Sequence, residues 1–262
     1  ILNINKVNAP KLLSNHYINN MIEISDLGEK SFYDYIISKK NKLNDYKSLV
    51  KLIIKIQKIK VKKAYKLGKF KVKFLKYTLN NLHKESDLFF DWYLKYCLKE
   101  KNISKIKKLL RKELNKVYKK LKFNNNTFVH RDFHVSNIML KKKTLGLIDS
   151  QDAIIGNPLY DIASLIDDVR IKLPNNLQNN LINFYHKNSK LKKNDMKSLK
   201  NDFDILSVQR NLKILGIFVR LSKRDGKNNY LKFLPYTWAL IEKRLKNPIF
   251  KNLNILMNKN LP

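Results

Sequence analysis

The chain has 262 residues, 44% of them apolar, which is enough for one large domain or two small ones around a sizeable core and excludes disorder as the default state. No apolar run approaches the roughly eighteen residues of a membrane span, no signal-peptide pattern opens the sequence, and Cys97 is the single cysteine. These features point to a cytoplasmic protein in a reducing compartment, with no membrane partner, no internal disulfide and no thiolate metal cluster. The net charge of +34 invites a nucleic-acid reading, yet arginine supplies only seven of the 55 basic residues and the lysines are spread along the chain. With Asn and Ile abundant and Gly and Pro at six each, the profile fits codon drift in an AT-rich genome, and no nucleic-acid partner is expected.

In chain order, Met21 to Ile24 reads as a strand and Ser25-Asp26-Leu27-Gly28 as the turn leaving it. From Ser31 the pattern becomes helical, with Tyr46, Leu49, Val50 and Ile53 on one face. Lys55 to Lys76, lysine-dense around Gly68, reads as a solvated helix and connection. Glu85 to Glu100 carries Leu88, Phe89, Trp92, Tyr93, Tyr96 and Cys97 at helical spacing; the aromatics share a face, so a core helix is expected in preference to a base-stacking platform. Ile106, Leu110, Leu114, Val117 and Leu121 form a second amphipathic helix leading into the next segment.

That segment, 127 to 149, has the strongest chemical signature. Two short apolar runs, Thr127 to Val129 and Ile138 to Leu140, flank a polar loop holding His130, Asp132, His134 and Asn137; a third run, Leu145 to Ile148, ends on Asp149. The expected order is strand, loop, strand, tight turn, strand. An Asp in such a loop can accept the proton of an attacking hydroxyl, while an Asn five residues later and an Asp ending the next hairpin can ligate a cation from two sides. Hard oxygen ligands of this kind suit magnesium. His130 and His134 four apart would bind zinc only from a helix, and this run lies between strands.

Residues 149 to 168 contain Asp149, Asp152, Asp161, Asp167 and Asp168 and no Lys or Arg, which reads as an acidic pocket for a divalent cation. Asp161, opening the apolar run that follows it, is the structural member of the set. Pro174-Asn175-Asn176 separates two helices, Leu206 to Leu221 forms a further helix holding Gln209, Arg210, Asn211, Lys213 and Arg220, and 222 to 229 reads as a polar loop.

The His-x-Asp-x-His-x-x-Asn pattern, followed twelve residues after Asn137 by Asp149, resembles the catalytic and metal-binding loops of the aminoglycoside phosphotransferase and choline kinase group, relatives of the protein kinases. The likeness continues in Gln151-Asp152-Ala153, Gly156-Asn157-Pro158 and Tyr160-Asp161-Ile162-Ala163-Ser164-Leu165, and in Asp26-Leu27-Gly28, Glu85 to Trp92 and Arg210 to Arg220. Within the group, Asp149-Ser150-Gln151-Asp152-Ala153 with Gln209-Arg210-Asn211-Leu212-Lys213 looks most like the bacterial N-acetylmuramate/N-acetylglucosamine kinases of cell-wall sugar recycling.

The resemblance implies an α+β, protein-kinase-like fold with a mostly helical C-lobe and a truncated β-rich N-lobe. Residues 1–30 would be the remnant of the N-lobe with the hinge, and 31–262 the C-lobe, holding the loops of 127–149 and a substrate subdomain from about 171 onward. It implies ATP and magnesium as cofactors: Glu23, Ile24, Ser25 and Asp26 at the hinge for the adenine edge, Asn137 and Asp149 for the metal. Asp132 would be the catalytic base, with His130 and His134 buttressing its loop. Asp152, Arg210 and Asn211 would serve the acceptor, a small hydroxylated amino sugar.

Only Asp195, Asp202, Asp204, Asp225 and Glu242 are acidic after Ile171, so a neutral or anionic sugar is expected before a polycation. The glycines, at 28, 68, 146, 156, 216 and 226, allow no Gly-rich phosphate loop, and the phosphate-binding Lys of relatives lies upstream. A fragment or truncated product is the expectation, and an inactive pseudokinase that binds a partner without chemistry stands as the alternative from another class.

Overall fold

Ser31 and Thr78 start helices by the same device. Each hydroxyl accepts the backbone N–H three residues on, while the side chain of Asp34 or Asn81 returns to the cap N–H. Asp195 caps a third helix by accepting from Ser198 N at 2.7 Å, and Gly226, at φ 69°, ends it in the left-handed conformation that glycine tolerates.

The computed structural model describes residues 1–62, 64–67, 70–98, 103–142 and 144–261. Within these, strands β1 (Leu12–His16) and β2 (Met21–Ile24) form an antiparallel ribbon. Helices α1 (Phe32–Ile36) and α2 (Leu43–Gln57) follow, then hairpin β3 (Tyr65–Leu67) and β4 (Phe70–Val72). Helix α3 (Leu79–Leu88) passes through a π-helical turn, Phe89–Leu94, into α4 (Lys95–Cys97), and α5 spans Ile103–Tyr118. Strands β5 (Thr127–Val129), β6 (Ile138–Lys141), β7 (Thr144–Leu147) and β8 (Ile154–Gly156) pair as β5 with β8 and β6 with β7, both antiparallel. The remaining helices are α6 (Tyr160–Ile166), α7 (Asn175–Asn188), α8 (Met196–Asp225), α9 (Leu234–Leu245) and α10 (Lys251–Asn260). The architecture is α+β, a mostly helical C-lobe with a small β-rich N-lobe segment. Among the described residues no helix is long and apolar enough to cross a membrane.

The chain divides into two compact units. One comprises Ile1–Lys76 with Asn126–Lys192, the other Tyr77–Asn125 with Lys193–Pro262. In the first, Tyr46, Leu49, Val50 and Ile53 of α2 are buried as their spacing requires, and Tyr185 of α7 donates to Gln57 Oε1 at 2.8 Å. In the second, α8 packs on α3 through Gly216. A Cβ there would collide with the Leu88 carbonyl and lie 2.7 Å from the Phe89 nitrogen, at the start of the π turn.

Three expectations change. Lys55–Lys76 contains the β3–β4 hairpin, stabilised by Tyr65 against Phe74 and Phe74 against Phe128, aromatic contacts that lysine density hides; Gly68 lies outside the described residues. Leu121 falls beyond α5, which ends at Tyr118. Helix α8 runs on to Asp225, so the polar stretch from Ser222 is its last turn, with Lys223 and Arg224 complementing the helix dipole.

Candidate active site

Strand β5 buries Phe128 and Val129 and pairs with β8, which fixes where the next residues leave the sheet. Asp161, fully buried in the first turn of α6, receives them: His130 N donates to its Oδ2 at 2.8 Å and Arg131 N to its Oδ1 at 2.9 Å. Asp168, also buried, accepts from Val135 N at 3.3 Å and from Arg170 N and Nη1 at 3.1 Å. The loop is therefore held at both ends by carboxylates that meet backbone donors, an arrangement that satisfies their charge without consuming loop side chains.

His130 is fully buried and its Nε2 lies 3.0 Å from the Ile148 carbonyl. A carbonyl only accepts, so the ring carries a proton on Nε2 and ties the loop to the end of β7. Burial lowers its pKa below the ordinary histidine value, partly offset by the Ile148 bond and by the charges of Asp132 and Asp149. His134 is buried, and its carbonyl accepts Asn137 N at 2.9 Å in the 3-10 turn Val135–Asn137.

Asp132 uses its backbone for structure and keeps its side chain for other work. Its carbonyl accepts from His134 N and from Asn137 Nδ2, both at 3.1 Å. Its carboxylate is half-buried and accepts no hydrogen bond among the described residues. Asn137 Nδ2 also donates to Asp149 Oδ2 at 3.2 Å, and Gln151 Nε2 to Asp149 Oδ1 at 2.6 Å. Arg131 and Asp149 both occupy the left-handed region, at φ 78° and 63°. Non-glycine residues hold that conformation only where the surroundings enforce it, and here it flanks the candidate residues Asp132 and Asn137.

The acidic pocket expected over 149–168 is smaller than the sequence suggests. Asp161, Asp167 and Asp168 are buried, and two of them serve the backbone; Asp149 and Asp152 are exposed. Among the described residues no group of three or more His, Cys, Asp or Glu is placed to hold a metal. An amide and a carboxylate in contact are a donor set that suits magnesium, which binds through one or two carboxylates and completes its shell from phosphates and water.

At the hinge, Ser25 N donates to Lys11 O at 2.8 Å, Lys11 N returns to Ser25 Oγ at 2.9 Å, and Gly28 N, at φ 96°, donates to Asp26 Oδ1 at 2.9 Å. Ile24, Ser25 and Asp26 line a cavity of about 340 Å³ together with Leu27, Met139 and Ile148. Glu23 does not line it; its carboxylate accepts from Ser14 Oγ across the ribbon at 2.8 Å. Sequence reasoning missed Met139 and Ile148 as cavity residues. Met139 alternates with the buried Ile138 on β6, and that period-2 pattern is the signal that could have placed it.

Residues 2–199 match the phosphotransferase enzyme family, APH. The chain belongs to this family. The N-acetylmuramate/N-acetylglucosamine kinase of Pseudomonas aeruginosa is 28% identical over 240 residues, which span 90% of this chain and 68% of that protein. The enzyme of the same description from Neisseria meningitidis is 27% identical over 233 residues, 87% of this chain and 68% of that one. The fold is shared with a choline/ethanolamine kinase family protein from Mesorhizobium loti, at TM-score 0.62 and 11% identity over 98% of this chain and 79% of that one. It is shared also with ADP-bound aminoglycoside phosphotransferase APH(2'')-Ib, at TM-score 0.59 and 14% identity over 93% and 79%. The protein is an ATP-dependent phosphotransferase acting on a small molecule.

In this phosphotransferase the remaining acceptor candidates separate. Asp152 sits on an exposed turn after Asp149, whereas Arg210 and Asn211 are buried on α8 in the other compact unit. Asn211 Nδ2 donates to Ser207 Oγ at 3.3 Å.

Proposed function

We propose that this APH-family enzyme phosphorylates a hydroxyl of an amino sugar such as N-acetylmuramate or N-acetylglucosamine, with ATP as donor. The observation that supports the chemistry best is the half-exposed Asp132 carboxylate, which bonds to nothing in the described chain while its own backbone is fixed on both sides. A base so held orients the acceptor hydroxyl and takes its proton as the hydroxyl oxygen attacks the terminal phosphorus. His130 and His134 act as positioning residues, the first through Ile148, the second through Asn137. Asn137 and Asp149 hold magnesium, which when bound neutralises charge developing on the transferred phosphoryl group. The hinge segment Ile24 to Asp26 offers backbone to the adenine edge, without Glu23, and the apolar walls Ile24, Leu27, Met139 and Ile148 take its faces. The lobe boundary is assigned near residue 30, with the acceptor recognised by residues after 171 and by Asp152; a cytoplasmic site of action fits use of ATP.

The acceptor class rests on the 28% identity across 90% of the chain with a protein described as acting on these two sugars. Magnesium-dependent ADP release should appear with N-acetylmuramate or N-acetylglucosamine and stay at background with choline and with an aminoglycoside. Turnover of a cationic acceptor alone would replace this reading.

A further inference from the structure

Along the sequence the lysines are spread, and that spread is the case against a nucleic-acid partner; folding gathers five of them onto one face. On α5 and the turn that ends it, Lys105, Lys108, Lys112, Lys116 and Lys119 follow one another at steps of three or four residues, and all are exposed. Lys119 N still donates to Asn115 O at 3.2 Å, so the helical path holds to the end of the row. The five positions fall within about 80° of arc and form a single row about 21 Å long. Lys116 pairs with Glu113 at 2.6 Å, and the other four meet no acid among the described residues. Glu113 is the one acid of α5, and α10, which packs on α5, lies in a stretch, 243–262, without an acid. Like charges three and four residues apart weaken a helix, a cost that a bound polyanion removes.

Helix α2 supplies the contrast. Lys47, Lys51, Lys55 and Lys58 keep the same spacing there, but Lys55 Nζ donates to the Lys6 carbonyl and Lys47 Nζ lies 5.4 Å from the Phe184 ring centre. The chain itself engages two of those four lysines, against one of five on α5.

A second observation lies in the same compact unit. Trp92, Tyr96 and Val219, with Lys95 and Lys223, line a cleft of about 680 Å³. Tyr96 is 46% exposed, and Lys223 Nζ lies 5.3 Å from its ring centre. The acid of the cleft, Asp91, pairs with Lys107 of α5 at 2.7 Å, so the cleft borders α5 and its remaining charges are both positive. Exposed rings beside a row of cations are the means by which single strands are held: the rings stack on bases and the cations track phosphates. A membrane surface would require the apolar face of α5, and Leu110, Leu114 and Val117 are buried.

We propose that the lysine row of α5 and the cleft of Trp92 and Tyr96 bind single-stranded nucleic acid, with the backbone along the lysines and a base against Tyr96. The surface lies within one compact unit, uses none of residues 127–149 and is independent of the acceptor sugar.

Fluorescence anisotropy of a labelled dodecamer of uridylate with the 262-residue chain, between 50 and 200 mM salt, tests it. Four phosphate contacts give a slope of log association constant against log salt of about −3. A chain of net charge +34 attracts any polyanion, so the variants decide. Lys108→Gln with Lys112→Gln should make the slope shallower by about 1.4 and weaken binding about tenfold. Lys51→Gln with Lys58→Gln, the same change in net charge on α2, should bind within about twofold of the parent. Tyr96→Ala should weaken binding about fivefold or more at unchanged slope, and Tyr96→Phe should hold the parent value. Should Tyr96→Ala melt earlier than the parent, Tyr96→Leu, which keeps apolar volume without the ring, takes its place. Equal losses from the two lysine pairs, an unchanged slope in the α5 variant, or parent-like binding without the ring would each overturn the proposal. Duplex RNA or inorganic polyphosphate bound as tightly as the single strand would overturn it too, as would capture by phosphatidylserine vesicles through the same lysines.

Discussion

Behind the 130–137 loop, the buried Asp161 meets the N–H groups of His130 and Arg131 and the buried Asp168 that of Val135, at 2.8 to 3.3 Å; on α8, Arg210 is buried and its Nη1 has no hydrogen-bond partner among the described residues. Both regions take charge out of water. The difference lies in who supplies the counterpart. A carboxylate answered by fixed amide dipoles makes a finished scaffold whose task is to hold other groups still. The Arg210 Nη1 has no such counterpart among the described residues.

If the loop is finished scaffold, the residue it presents should be dispensable for folding and indispensable for chemistry. Asp132→Ala should lower kcat by about 10²–10⁴-fold, the range of a general base, with the urea midpoint unchanged, because the scaffold uses only the Asp132 carbonyl. Turnover at the wild-type rate by the folded variant would end the assignment. Asp161→Asn should do the converse. Its amide cannot accept from both His130 N and Arg131 N, so one buried donor loses its partner, and stability should fall by about 3 kcal/mol in urea unfolding. A loss under ~0.5 kcal/mol would mean that Asp161 is not the anchor.

The α8 side of the comparison is sharpened at Glu85. Glu85→Gln leaves Lys213 without its ion-pair partner, and a cost of about 2 kcal/mol is expected. Adding Lys213→Met should return most of it, since removing both charges costs less than stranding one. Additive losses in the double variant would show that the pair contributes through packing alone.

Much of the loop was legible because its chemistry is local: Asp132, Asn137 and Asp149 lie within eighteen residues, and strand alternation brackets them. That Asp161 is structural was legible too, from its place at the head of an apolar run, but its actual service, to His130 N and Arg131 N instead of to the helix end, was not. The service of Asp168 to Val135 was not, because the contact spans 33 residues and no spacing rule joins a loop amide to a carboxylate beyond the next helix. The β3–β4 hairpin escaped for a related reason. Its strands are held by Tyr65, Phe74 and Phe128, the last more than fifty residues away, while the local composition says only that lysine is soluble. The unmatched Nη1 of Arg210 is likewise a property of surroundings, invisible in a sequence where interhelical ion pairs would explain an arginine equally well.

The finest test of the scaffold is its histidine. His130 is buried, and its pKa lies below the ordinary value of about 6.5, chiefly through desolvation, with the Ile148 carbonyl and the charges of Asp132 and Asp149 pulling the other way. In the unfolded chain the imidazole gains a proton as the pH falls through about 6.5, while the folded chain does not until lower pH. Between those two values the unfolded state binds more protons, so stability contributed by neutral His130 is intact above about 6.5 and declines below it, with a slope of at most about 1.4 kcal/mol per pH unit. His130→Gln keeps a donor for Ile148 O and removes the titration. Urea midpoints at pH 7.5 and 5.5 should therefore differ less in the variant than in the wild type. An acid dependence identical in the two would mean that the loop is held against protons by its carboxylates alone, and that the histidine contributes only its N–H.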